Sequence, residues 1–318
     1  MRKTWRTIIP LAALLGLASC GEEEPRPRNC LPFSGARIIA EPEVFKLNDI
    51  NTYNGIAFTP NGCELYITQD IDGVAQILHT EWSGRFWVQP ERVGPISSPH
   101  HDYQPRFNAD GTRLYFNSSR PIPGSEGSNG QADDGLRKLW YMEKDLTGWS
   151  GPHYLEGINS DDPDIRDGYA APIGDGSLYF RSTRASGDPD NGDIFFARWN
   201  GTGFNKPVLV QGISSPRDEN DLVVTKDDKI MVLNRYVDNP EDTYLMISVK
   251  ENDQWSIPRA VEQPANEFQM ELTPSLSPDE IYFLYEIRGV TFVIDLHALL
   301  TDAELAKIGK IRRGTEED

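Results

Sequence analysis

The sequence predicts an all-β chain, a five-bladed β-propeller with a six-bladed ring as the alternative, closed by an N-terminal strand and followed by a short C-terminal helix. Three observations predict it: a β-hairpin that recurs along the chain, third and fourth β-like runs after the hairpins, and one fourth run displaced to the front of the first hairpin.

The hairpin is plainest in QPRFNADGTRLYFNSSR, Gln104 to Arg120. Pro105 and Phe107 open an extended run, Asn108 to Gly111 turns it, and Leu114, Tyr115 and Phe116 return it with side chains that favour strands. The pattern recurs in GIAFTPNGCELYIT from Gly55, YAAPIGDGSLYFRSTR from Tyr169, NDLVVTKDDKIMVLNR from Asn220 and ELTPSLSPDEIYFLYEIR from Glu271. The turn position is Gly62, Gly111, Gly176, Asp228 and Glu280, a period of roughly 50 residues and the mark of a repeat architecture. Asp228 and Glu280 are expected to stand in for glycine by keeping their turns out of positive φ.

These repeats resemble the TolB-type, WD40-like propeller repeat: an acid, a proline, an aromatic, an SPDG-like turn, a LYF-like strand and a Ser-x-Arg end. The resemblance spans about residues 36 to 296. It implies a fold and, with it, a binding role; it does not imply a reaction.

Third strands are expected at Ala75 to Leu78, Leu139 to Met142, Asp193 to Phe196, Thr243 to Ile247 and Thr291 to Ile294. Outer strands are expected where an aromatic precedes a proline by three residues, at Trp87 to Pro90, Trp149 to Pro152, Phe204 to Pro207 and Trp255 to Pro258. Proline suits an edge, where a missing amide costs no ladder bond. The fifth outer strand is missing after Ile294 and reappears as Ile39 to Pro42 with Val44 and Phe45 behind it, which closes the ring. Leu296 to Ile311 reads as helix, with Thr301 and Glu304 as a capping box.

Residues 1–20 read as an export signal: Arg2, Lys3 and Arg6 precede an apolar stretch, Ile8 to Ala18, too short to span a bilayer. Leu17-Ala-Ser-Cys20 resembles the bacterial lipoprotein box and implies a lipid anchor on Cys20, an ordinary secretory signal peptide being the alternative. Residues 21–35 read as a tether, 36–296 as the propeller and 297–318 as helix and tail. The expected place is the cell envelope of a bacterium, at the periplasmic face or the cell surface; the acidic run Glu22 to Glu24 resembles surface-export signals. Cys30 and Cys63 are left over from lipidation and read as a disulfide pinning the tether to the first blade, or as two independent thiols.

The chain carries a net charge of −18, and loss of the signal makes it more negative. That repels phosphate backbones, so nucleic acid is excluded as a partner, while an envelope protein, peptide or glycan is expected.

Nine residues before each turn position stand Tyr53, Asp102, Asp167, Glu219 and Glu271, expected around the mouth of the central channel. Such a ring would suit a cation or a sugar. Against this, the hairpin ladder brings Arg120, Arg184 and Arg235 to Asp102, Asp167 and Glu219 as structural partners, with Asp102 beside Ser119 and Arg120. At the ring closure Glu271 is expected to face Glu286, with Arg288 further along, and Tyr53 to face Asp70. Tyr53, Asp70, Glu271 and Glu286 are therefore the leading ligand candidates.

No cofactor is expected except Ca²⁺ as a possibility, the run Asp188 to Asp193 having oxygen ligands at calcium-loop-like spacing but no distal glutamate. Adjacent His100 and His101 point to opposite sides of an extended segment and read as surface histidines. Gly124 to Gly135 reads as a long polar loop open to a partner. No nucleophile elbow, HExxH or phosphate-loop motif is present. Two functions follow: a membrane-anchored binding module, or a glycosidase-like enzyme with Glu271 as general acid and Asp102 or Asp167 as base, for which no aromatic sugar platform can be assigned to the channel.

Overall fold

The computed structural model describes residues 30, 37–45, 47, 55–124, 137–188, 190–236, 243–262, 265, 272–287 and 289–311. Cys20, Tyr53, Glu271, Arg288, the signal and nearly all of the tether lie outside the described residues, as does residue range 125–136 of the polar loop.

Five antiparallel sheets make five blades. The first holds Ile56–Phe58, Glu64–Ile71, Val74–Glu81 and Glu91–Arg92. The second holds Asp102–Phe107, Arg113–Ser118, Lys138–Asp145 and His153–Tyr154. The third holds Asp167–Pro172, Leu178–Ser182, Asp193–Ala197 and Val208–Leu209. The fourth holds Glu219–Val224, Ile230–Tyr236, Thr243–Glu251 and Arg259–Ala260. The fifth holds Leu272–Leu276, Tyr282–Ile287 and Val290–Asp295, and takes Glu43–Val44 as its outer strand. The five innermost strands neighbour one another around a ring. There is no sixth blade among the described residues. Closure is therefore made by the N-terminal segment, but the regular ladder is short: Ile39 joins only through its carbonyl, which accepts from the Asp295 amide.

Strand period 2 puts alternate apolar residues between blades, so the core is a set of interblade layers. Tyr115 and Leu139 of the second blade pack with Leu178 and Phe180 of the third. Phe58 and Trp87 of the first pack with Phe45 and with Tyr282 of the fifth. Each such side chain, fully buried, contributes roughly 1.5–3 kcal/mol.

The aromatic-x-x-proline runs differ from expectation. Their aromatics form small bridges that fold the chain tip, as in Trp82 with Trp87 and Trp199 with Phe204, and the outer strand begins after the proline. The aromatics are needed inside: Trp87 is fully buried, while Trp149 donates Nε1–H to Tyr66 Oη and Trp255 to Tyr179 Oη of the preceding blades. A proline just past them ends the bridge and leaves the following residues free to pair.

The two turns without glycine also differ from expectation. Asp228 and Glu280 both sit at φ 57°, in the left-handed region. Side-chain bonds offset that strain: Asp228 Oδ1 accepts from Tyr179 Oη at 3.0 Å, and Glu280 Oε1 accepts from the Lys226 amide at 2.6 Å.

The C-terminal segment is a 3₁₀ turn, Leu296–Leu299, followed by a short α-helix, Asp302–Lys307, rather than one helix. Thr301 and Glu304 form the capping box. Leu299, Leu300 and Leu305 are buried with the fourth and fifth blades, and Arg259 of the fourth blade's outer strand binds the Glu304 carboxylate at 2.6 Å. The helix thus docks on the ring's edge and not over the channel. Cys30 and Cys63 are joined in a disulfide that ties the N-terminal segment to the first blade's hairpin.

Candidate functional site

Asp102, Asp167 and Glu219 open the inner strands of blades two, three and four, and all are 0% exposed. Each is held by an arginine and at least one serine hydroxyl. Asp102 accepts from Ser118 Oγ and Ser98 Oγ at 2.6 Å and from Arg120 Nη2 at 2.8 Å. Asp167 accepts from Ser182 Oγ and Arg184 Nη2 at 2.6 Å and from the Ser160 amide at 2.7 Å, with Lys138 Nζ 3.4 Å away. Glu219 accepts from Arg235 Nε at 2.7 Å, from Ser215 Oγ at 2.5 Å and from its amide at 3.0 Å. The arginines then donate to Ile96, Ile158 and Ile213 carbonyls.

Each unit thus clamps the connector from one blade's outer strand to the next blade's inner strand. The connectors carry it in sequence as Gly94-Pro-Ile-Ser-Ser98, Gly157-Ile-Asn-Ser160 and Gly212-Ile-Ser-Ser215, a repeat the hairpin reading missed. Burial pushes the Asp102 and Glu219 carboxyls up, and the arginine and serine donors work against that. None of the three lines the channel mouth.

The reason is a β-bulge. The ladder slips between Tyr103 and Arg106, between Gly168 and Ala171, between Glu219 and Leu222, and between Leu272 and Ser275. Gln104, Tyr169 and Thr273 there take φ of 57°, 57° and 51°. Two of these turned amides reach the previous blade: Gln104 N–H donates to Thr68 Oγ1 at 3.0 Å and Tyr169 N–H to Asn117 Oδ1 at 2.9 Å. The slip also changes the expected pairing. Asp102 opposes Ser118 and not Ser119 or Arg120, Asp167 opposes Ser182, and Glu286 opposes Leu272 and not Glu271.

Glu286 occupies the register of Thr68, Asn117, Arg181 and Asn234, buried on the second strands at the blade interfaces. It stands where other blades keep an interblade hydrogen-bonding group, and it has a partner of its own. Asp70, at the other side of the closure, accepts from the Gly73 amide in its own turn at 2.9 Å. Tyr53 and Glu271 lie outside the described residues. Asp188 caps its own loop through the Asp190 amide at 2.9 Å, and Asp190 pairs with Arg166. His101 Nδ1 accepts from the Ala75 amide at 3.2 Å. Among the described residues no group of three His, Cys, Asp or Glu side chains is gathered to hold a metal.

The channel is lined two residues further on than the acid register. One layer is Gly55, Gln104, Tyr169, Asp221 and Thr273, and the next is Ala57, Arg106, Ala171, Val223 and Ser275. The small residues of the second layer leave room for one large one. Arg106, 7% exposed, donates to the Ile56 carbonyl at 3.2 Å, its own Pro105 carbonyl at 3.0 Å and the Pro274 carbonyl at 2.6 Å, with Asp221 Oδ1 3.7 Å away. Gln104 Nε2 donates to Asp221 Oδ2 from two blades away. Burial pushes Asp221 up to about 6 despite Arg106 and Gln104. This trio closes the channel across its axis. The φ of 120° at Gly55 requires glycine, while a Cβ there would meet Gln104 Cα at 3.4 Å and Arg106 Nη1 at 3.5 Å, ordinary contact distances.

Two mouths remain. At the hairpin-turn end an apolar-walled depression, open to solvent, is lined by Arg106, Lys226 and Glu280. At the connector end stand Tyr103, Arg137, Tyr169, Asn220 and Tyr236. Arg137 Nη1 donates to Tyr169 Oη, with its guanidinium 5.4 Å from that ring's centre. Asn220 Nδ2 donates to Tyr236 Oη at 3.0 Å. Burial pushes the Tyr103 and Tyr236 phenols up, so they stay neutral. Aromatic side chains therefore do gather at the channel, which the sequence reading did not find.

No family model matches the chain, and neither does any curated protein. Among solved structures the chain is similar to TolB from Acinetobacter baumannii, at 12% identity and a TM-score of 0.46, over 77% of this chain and 54% of that one. It is similar to a putative TolB from Agrobacterium tumefaciens, at 14% identity and a TM-score of 0.46, over 77% and 76%. It is also similar to a GH74 xyloglucanase from Xanthomonas campestris, at 13% identity and a TM-score of 0.45, over 80% and 46%. The chain thus spans about half the length of the first of these. The likeness is one of propeller architecture.

Proposed function

We propose that the protein is a binding module of the bacterial cell envelope, a lipid-anchored propeller that presents its connector-end mouth to a protein, peptide or glycan. The observation that carries this reading is the contrast between two sets of polar residues. The buried acids of the repeat are consumed by arginine and serine, whereas the mouth keeps partly exposed Tyr103, Arg137, Asn220 and Tyr236 above a closed channel. Concave sites where a few polar groups converge are where ligands bind.

The envelope location is supported by the Cys30–Cys63 disulfide, which persists in oxidising compartments, together with the export signal and the Cys20 box. The glycosidase-like alternative needs two available carboxylates. Asp102 and Asp167 are shielded and paired, which favours binding over hydrolysis.

The test has two arms. Membrane fractionation of Cys20→Ser is expected to release the protein from the membrane. Thermal unfolding of the domain from Gly21 onward, against Ca²⁺, peptides and neutral and acidic glycans, is expected to give a midpoint that rises with the concentration of one class. No shift with any class, or turnover of a glycan, would overturn the reading.

A further inference from the structure

We propose that the connector-end mouth recognises a free carboxylate, that of a peptide's C-terminus, with Arg137 as its counter-ion. The inference rests on the binding-module reading above and names the chemistry of its ligand.

Arg137 is a partly exposed cation in an acid-rich chain, yet no described carboxylate comes within ion-pairing distance of it. Among the described residues, the one hydrogen-bond partner of its side chain is the neutral phenol of Tyr169. An acid among its charge partners, Asp218, is taken by Arg181 Nη2 at 2.7 Å and by the Gly192 amide at 2.7 Å. Asp221 below is taken by Arg106 and Gln104. A guanidinium drawn into low dielectric without its own carboxylate is a poor arrangement unless an anion completes it, and its planar fork matches a carboxylate. Tyr103, Tyr169 and Tyr236 supply hydroxyls and ring faces around that position.

A second observation points to a ligand that also donates. Gln104 Oε1 and Asn220 Oδ1 are buried acceptors with no hydrogen-bond partner, and Gln104 is 3% exposed. Buried polar atoms of this kind are completed by water or by a ligand. A peptide's last residue carries a carboxylate and an N–H on neighbouring atoms, which is what one guanidinium and one amide oxygen can take. The channel is shut beneath by Gln104, Asp221 and Arg106, so a chain can enter by its end but cannot pass through.

The test is calorimetric titration of the full-length detergent-solubilised protein with N-acetyl-Gly-Ala-Leu as the free acid, its C-terminal amide, and trigalacturonate. The expected result is saturable binding of the free acid and at least about tenfold weaker binding of the amide. Arg137→Gln is expected to lose the preference for acid over amide while keeping its unfolding midpoint. Should that variant fail to fold, the acid and amide comparison on the unaltered protein decides alone. Equal binding of acid and amide, or no binding of the acid, overturns the carboxylate assignment. Binding of trigalacturonate alone overturns the peptide, while leaving a binding module in place.

Discussion

Arg106 of the second blade and Asp221 of the fourth meet across the propeller axis, Nη2 to Oδ1 at 3.7 Å, and with Gln104 they close the channel. Three carbonyls and one carboxylate around a single guanidinium explain why its layer is otherwise Ala57, Ala171, Val223 and Ser275. Removing the cation strands the acid and the carbonyls together. Arg106→Leu is expected to cost about 3–5 kcal/mol, the loss seen when one partner of a buried pair is deleted. Urea unfolding followed by tryptophan fluorescence checks it.

Asp221 also sets a pH dependence. Its folded pKa of about 6 lies above the ordinary 3.8, so between these values the folded chain holds a proton that the unfolded chain has released. Stability from this group is therefore greatest below about pH 4 and falls as pH rises to about 6, by about 3 kcal/mol. The difference in unfolding free energy between the unaltered protein and Asp221→Asn is expected to shrink over that range and be flat above it. A difference that is flat throughout contradicts the assignment.

The connector clamps predict a second set of effects. Arg184 bridges Asp167 and the Ile158 carbonyl, both at 2.6 Å. Arg184→Met is expected to destabilise by about 3 kcal/mol, and Arg184→Lys by much of the same, because an ammonium does not reproduce the fork that sets Nη2 on both acceptors while Nε donates to Ser182 Oγ. Denaturant unfolding of the two variants measures this, and a lysine variant equal to the unaltered protein would show the clamp to be charge alone.

The disulfide encloses a sequence separation of 33 residues. By loop-closure entropy a cross-link of that span contributes about 3–4 kcal/mol. Unfolding of Cys63→Ser, or of the unaltered protein in dithiothreitol, is expected to show that loss.

Much of the ring was legible in the sequence because each blade repeats the same turn, and a turn followed by a LYF-like strand fixes register over short distances. The pairing of Asp102, Asp167 and Glu219 with arginine was legible for the same reason. What was hidden is a single bulge in the inner strand. It moves the channel-facing position from Asp102 to Gln104 and from Asp167 to Tyr169, and periodicity alone does not reveal a slip of register. Arg137 and Tyr236 were hidden differently: one precedes the strand Lys138–Asp145 and the other ends the strand Ile230–Tyr236, both beyond the repeated pattern, and only the closed ring brings them together. Ser98, Ser160 and Ser215 did leave a signal, the Ile-x-Ser that recurs in the three connectors.

The measurement that bears most directly on the account is site-specific photo-crosslinking in the intact bacterial envelope. A benzophenone side chain would replace Tyr103 at the connector-end mouth in one strain and Lys226 at the hairpin-turn rim in another. The account predicts a discrete adduct from position 103 that Arg137→Gln abolishes, and none from position 226. An adduct from position 226 alone, or one from position 103 that persists in the Arg137→Gln background, would contradict it.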